Sequence, residues 1–182
     1  MIQLSNMLWL CALFAAVLGY QRGWNRELIT LAAIVLGWYT LFQFDALIRG
    51  TLLAMMPADQ VFLVEAGIFC VFVFYVYQTR LLAPQQEGRG SSETRRERTQ
   101  NGILGAVVGF ANGYLIWGTL WYLLDINEYP LSPWVVAPAP GSASSQAIGA
   151  LPIVFFGGGV DGTGDFLTAI VIVVLFIVLV VM

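Results

Sequence analysis

The chain has 182 residues, of which 59% are hydrophobic and only 10% charged, with a formal net charge of −3 and a mean hydropathy of +0.80. A soluble domain of this size carries about 25% charged residues, so the composition excludes an ordinary soluble fold and implies an all-α, polytopic helical bundle in a lipid bilayer. Histidine and lysine are both absent, which removes Ser-His hydrolysis, two-His zinc helices, phosphate-loop and Schiff-base chemistry.

The first span runs from Leu4 to Tyr20 and lacks the basic flank and cleavage site of a signal peptide, so it is read as a retained helix. A short polar elbow, "GYQRGWNREL" at 19–28, leads into a second span, Leu28 to Phe44. Residues 45–60 form an amphipathic stretch suited to the membrane interface, stopped by Pro57. A third span, Val61 to Gln78, contains one carboxylate, Glu65. A polar, arginine-rich connection at 79–101 reads as a loop, and Gly102 to Leu124 is the fourth span. Residues 125–165 are rich in Pro, Gly and Ser, and a fifth span, Phe166 to Met182, closes the chain. The expected organisation is a four-helix unit over 1–124, an outward-facing segment over 125–165 and a last helix over 166–182.

All eight basic residues are arginines, and five of them (Arg80, Arg89, Arg95, Arg96, Arg98) lie in one connection. Glutamates are interleaved there and aromatic residues are missing, so this is an orientation signal and not a nucleic-acid surface. By the positive-inside rule the elbow and residues 79–101 are cytoplasmic, while the N-terminus, 45–60 and 125–165 face outward. The expected surroundings are the lipid bilayer, with a homo-oligomer or a membrane-protein partner open. Cys11 and Cys70 stand far apart in apolar runs, without metal or redox spacing. No metal site or cofactor is expected.

In the elbow, Arg22 and Arg26 stand four apart, which on a helical turn puts both on one face near the lipid phosphates. Trp24 suits the headgroup level, Gly23 relieves crowding, and Glu27 favours the positive end of the second helix. The order Gly19, Arg22-Gly23, Arg26-Glu27 resembles the G-x-x-R-G-x-x-R-E turn of the colicin V production protein family of bacterial inner-membrane proteins. "NGILGAVVGFANG", with Gly105, Gly109 and Gly113, is similar to a glycine-rich helix of that family. The likeness extends over roughly residues 1–124. It departs at Asn112, where the family usually has Arg, and at Ser5 and Asn6, where it usually has Asp. The resemblance implies a non-enzymatic role in colicin V production or export and in envelope upkeep.

Three further features carry a choice of readings. Gly105, Gly109 and Gly113 share a helix face, which favours close packing within the chain over a seam between copies, with Asn112 able to add an interhelical hydrogen bond. Glu65 is an intramembrane carboxylate and thus a functional candidate, as a part of a small channel or transporter, or simply a partner for Arg49 near the interface. "GTGD" at Gly162–Asp165 resembles the Gly-x-Gly-Asp element of intramembrane aspartyl proteases, with Asp125 as the partner carboxylate. Such a tetrapeptide also arises easily in a glycine-rich loop, and the loop reading is preferred.

Overall fold

A computed structural model describes residues 3–82, 95–157 and 164–181, and all regular structure among them is helical. The helices are α1 (Leu4–Arg22), α2 (Trp24–Gln43), α3 (Asp45–Leu47), α4 (Ala58–Leu82), α5 (Arg95–Ile126), α6 (Ala143–Ile148), α7 (Pro152–Gly157) and α8 (Asp165–Val181). A π-helical turn, Ile48–Leu52, continues α3. Most of the arginine-rich connection, with Arg89, and the first two residues of the Gly162–Asp165 element lie outside the described residues.

Among the described residues, three helices are long and apolar enough to cross a membrane by length and composition, at Leu4–Arg22, Ala58–Gln78 and Arg96–Ile126. The α2 helix matches them in length with 20 residues, but opens on Asn25, Arg26 and Glu27. The α8 helix is apolar beyond Asp165 and has 17 residues. The expected total of four spans and a fifth is therefore not reached on these criteria.

Close backbone packing organises the bundle. Helix α5 is its axis, and α1 lies along it through small residues at four-residue intervals on both sides. Cys11, Ala15 and Gly19 of α1 face Gly113, Gly109 and Gly105 of α5. A Cβ at Gly109 would come within 2.5 Å of the Ala15 carbonyl oxygen, and one at Gly113 within 2.6 Å of the Cys11 carbonyl oxygen. Backbone approach of this kind supplies the dispersion contacts that hold helices together in lipid, where no hydrophobic force does so. The glycine face is thus occupied by α1 of the same chain.

Several boundaries differ from the sequence reading. Helix α2 begins at Trp24, four residues early, because the break between α1 and α2 is confined to Gly23, whose φ of +81° only glycine adopts without strain. Helix α5 begins at Arg95, so residues 95–101 extend the fourth helix instead of belonging to a loop. The 125–165 segment carries short helices of its own. Its α6 and α7 pack on the bundle, with Leu151, Pro152 and Ile153 buried, and Pro152 fits against Gly118 of α5 where a Cβ would clash at 2.6 Å.

Two apolar clusters fill the interior. One gathers Leu8, Phe62, Trp121, Leu123, Leu124, Tyr129 and Leu151. The other gathers Ile34, Trp38, Phe69, Leu115, Ile153 and Leu167. Outside them, Leu13, Phe14, Val17, Val71, Phe74, Val107, Phe176 and Leu179 are exposed apolar side chains on four helices. A soluble monomer rarely exposes contiguous apolar surface on this scale.

Candidate functional site

Among the described residues two carboxylates are buried, Glu27 and Glu65, at 1% and 3% exposure. Burying an ionised carboxylate is costly unless it is paired and hydrogen-bonded, so each demands local compensation. Each receives it from one arginine and one asparagine.

Glu27 lies in the first turn of α2, just past the Gly23 break. The reversal turns the last residue of α1 back over it, and Arg22 Nη1 donates to Glu27 Oε1 at 2.9 Å. From α5, Asn112 Nδ2 donates to the other carboxylate oxygen at 2.8 Å and to the Glu27 backbone carbonyl at 3.0 Å. The Arg22 guanidinium also sits 4.3 Å from the Tyr77 ring centroid of α4, a cation–π arrangement. One centre thereby joins α1, α2, α4 and α5. Asn112 is fully buried, and its Oδ1 has no hydrogen-bond partner in the structure.

The Gly23 break also separates Arg22 and Arg26 onto different helices, so they do not share a helix face as the four-residue spacing suggested. Arg22 points inward to Glu27, whereas Arg26 makes no ion pair among the described residues. Next to it, Asn101 Oδ1 of α5 accepts from the Trp24 N–H at 3.1 Å. Gly23 has no side chain with which to cap α2, and Asn101 does so from a distant helix, meeting one of the unpaired N–H groups that every helix start leaves.

Glu65 lies in α4, and its pairing with Arg49 is direct. Arg49 Nη2 donates to Glu65 Oε2 at 2.5 Å, while Arg49 Nε reaches Asp45 Oδ1 at 3.1 Å. Asn127, just past the end of α5, donates from Nδ2 to Glu65 Oε2 at 3.3 Å and to the Leu123 carbonyl at 2.8 Å. Arg49 occupies the π-helical turn, an element common at functional positions. This centre ties the interfacial segment to α4 and to the end of α5. Close by, Glu128 and Tyr129 take left-handed backbone conformations, and the buried Tyr129 hydroxyl accepts from Trp121 Nε1 at 3.1 Å. Burial pushes the Tyr129 phenol up to about 12, outweighing the Trp121 hydrogen bond that acts the other way.

Other buried polar groups are structural couplings. Trp38 Nε1 donates to Thr119 Oγ1, joining α2 to α5, and Ser5 and Ser144 hydroxyls meet at 3.1 Å, fastening α6 to α1. Asp125 is half-buried and Asp165 is exposed at the head of α8. A proton-sharing protease dyad needs both carboxylates screened from water, and the exposed Asp165 lacks that screening. Among the described residues no group of three or more His, Cys, Asp or Glu is placed to hold a metal ion.

Sequence reasoning named Glu27, Asn112, Glu65 and Arg49 but missed Asn101, Asn127, Tyr77, Thr119 and Ser144. Their partners lie far along the chain, and the one local signal was the presence of single amides in or beside apolar runs. A family model described as colicin V production protein matches residues 4–139. The match continues past the fourth span, to the residues that follow Asn127. No curated protein and no solved structure matches the chain.

Proposed function

The chain belongs to the colicin V production protein family, and on that premise we propose that it is a non-enzymatic inner-membrane protein serving toxin production or export and envelope upkeep. In this reading α1, α2, α4, α5 and α8 all enter the bilayer, the elbow and residues 79–101 lie in the cytoplasm, and 45–60 and 125–165 face outward. The family match carries the proposal. The exposed apolar side chains of α1, α4, α5 and α8 support the membrane setting.

A scaffold is favoured over a conducting path because both buried carboxylates are already engaged. Glu65 is closed off by Arg49 and Asn127, and Glu27 by Arg22 and Asn112. A permeation site needs carboxylate lone pairs free to exchange with ions or water, whereas these are committed to fixed donors.

The test is complementation. A colicin V-producing strain lacking its own protein of this family should regain toxin release when this chain is expressed. Release that stays absent, with the chain inserted in the inner membrane at normal levels, would overturn the proposal.

A further inference from the structure

Helix α5 is longer than a bilayer requires. Its 32 residues extend about 48 Å at 1.5 Å per residue, against about 30 Å of hydrocarbon. The apolar part starts at Gly102, so Arg98 stands about 6 Å and Arg96 about 9 Å before it along the axis. The first distance falls within the headgroup layer, which adds about 5–7 Å on each side of the hydrocarbon, and the second is within a long side chain's reach of it. The elbow reaches the same level, because Asn101 of α5 bonds the Trp24 N–H and Gly102 packs against the Tyr20 ring. Arg26 is not at this level: it enters α2, which runs back along α5, and the carbonyl of its neighbour Glu27 already bonds Asn112, ten residues past Gly102, so Arg96 and Arg98 are the arginines of this layer.

Their charges are available. Arg96 and Arg98 are exposed, and among the described residues neither pairs with a carboxylate. Arg22, in the elbow, is neutralised by Glu27. The surface next to Arg96 has the polarity of an amphiphile. Along one face of α5, Arg96 is followed by exposed Gln100, then by Ile103, Leu104 and Val107, which are 53%, 50% and 64% exposed. The spacing of four, seven, eight and eleven residues keeps these on one side of a helix. A charged head above a continuous apolar strip fits a phospholipid with its acyl chain against the helix. A free phosphate ion would have no use for the strip.

We infer that the arginine-bearing end of the bundle is a docking surface for anionic phospholipid, with Arg96 and Arg98 taking headgroup phosphates and the Gln100–Val107 face of α5 taking an acyl chain. This rests on the membrane setting proposed above. Arginines at an anionic surface contribute about fivefold each in affinity, so the two together amount to about twenty-five-fold. The attraction weakens as salt shortens the screening length.

The full-length protein, purified in neutral detergent and stripped of lipid, is offered equimolar phosphatidylglycerol and phosphatidylcholine, and bound lipid is counted by native mass spectrometry. The wild type should retain phosphatidylglycerol in preference, less so at high salt. The R96Q/R98Q variant should lose about twenty-five-fold of that preference with unchanged melting, and R96K/R98K should keep it. Added inorganic phosphate should displace little of the lipid. Equal preference in wild type and the glutamine variant overturns the inference while leaving the membrane reading intact. Displacement by millimolar phosphate alone overturns the acyl-chain part, since it would show headgroup recognition without the strip. Release of the chain from membranes by alkaline carbonate overturns both the inference and its premise.

Discussion

Glu27 and Glu65 are answered by the same chemistry in two different settings. Glu27 meets an arginine only five residues away, across a helix break that turns the chain back on itself. That guanidinium is 16% exposed and covered by Tyr77. Glu65 draws its arginine from an interfacial turn, and that guanidinium is 27% exposed and shared with the exposed Asp45. The first centre locks four helices where the chain reverses. The second pins a surface segment onto the bundle. Burial therefore decides what an ion pair does: a sealed pair fixes architecture, while an open pair tethers.

The sharpest way to break this comparison is Arg22→Gln. It leaves Glu27 buried without a cation, and the loss should be about 3–5 kcal/mol, as for other severed buried pairs. Reversible unfolding in mixed micelles measures it, and a cost no greater than that of Arg49→Gln would end the distinction. Arg49→Gln should cost less, about 1–3 kcal/mol, because the more exposed Arg49 leaves a position that solvent reaches. Its second signature should be faster proteolysis within 45–56, where the ion pair is the main anchor and Leu53 the one buried apolar side chain among the described residues. The smallest effect belongs to Asn112→Leu. It removes a donor to Glu27 together with the unpaired Oδ1, two changes of opposite sign that should leave stability within about 1 kcal/mol. A larger loss would mean that Oδ1 normally has a partner, such as a buried water.

Much of the architecture was readable without coordinates. Apolar runs of span length announced helices, because a bilayer tolerates little else. The four-residue spacing of Gly105, Gly109 and Gly113 announced a packing face. What covers that face was not readable, since Gly19 had been assigned to the turn and Ala15 and Cys11 look like any apolar residues of a span. The elbow shows the same division. Its residue order pointed to a membrane-surface reversal, but spacing alone placed Arg22 beside Arg26. Only the φ of +81° at Gly23 separates them, and only Asn112, 85 residues away, completes the bonding of Glu27. The two short helices within 125–165 were not readable, because Pro and Gly interrupt its apolar residues, whereas in the structure Pro152 packs into the notch at Gly118.

Sequence alone determined that this chain is helical and apolar, where its charges fall, and which family its elbow resembles. These are properties of composition and of residues near one another, and they hold in any conformation. Tertiary structure decided which arginines are spent on buried acids and which stay free, and which helix fits the glycine groove. It also decided which distant amide caps α2. Those outcomes depend on desolvation and on atoms meeting within about 3 Å, and such meetings are set by how the helices pack.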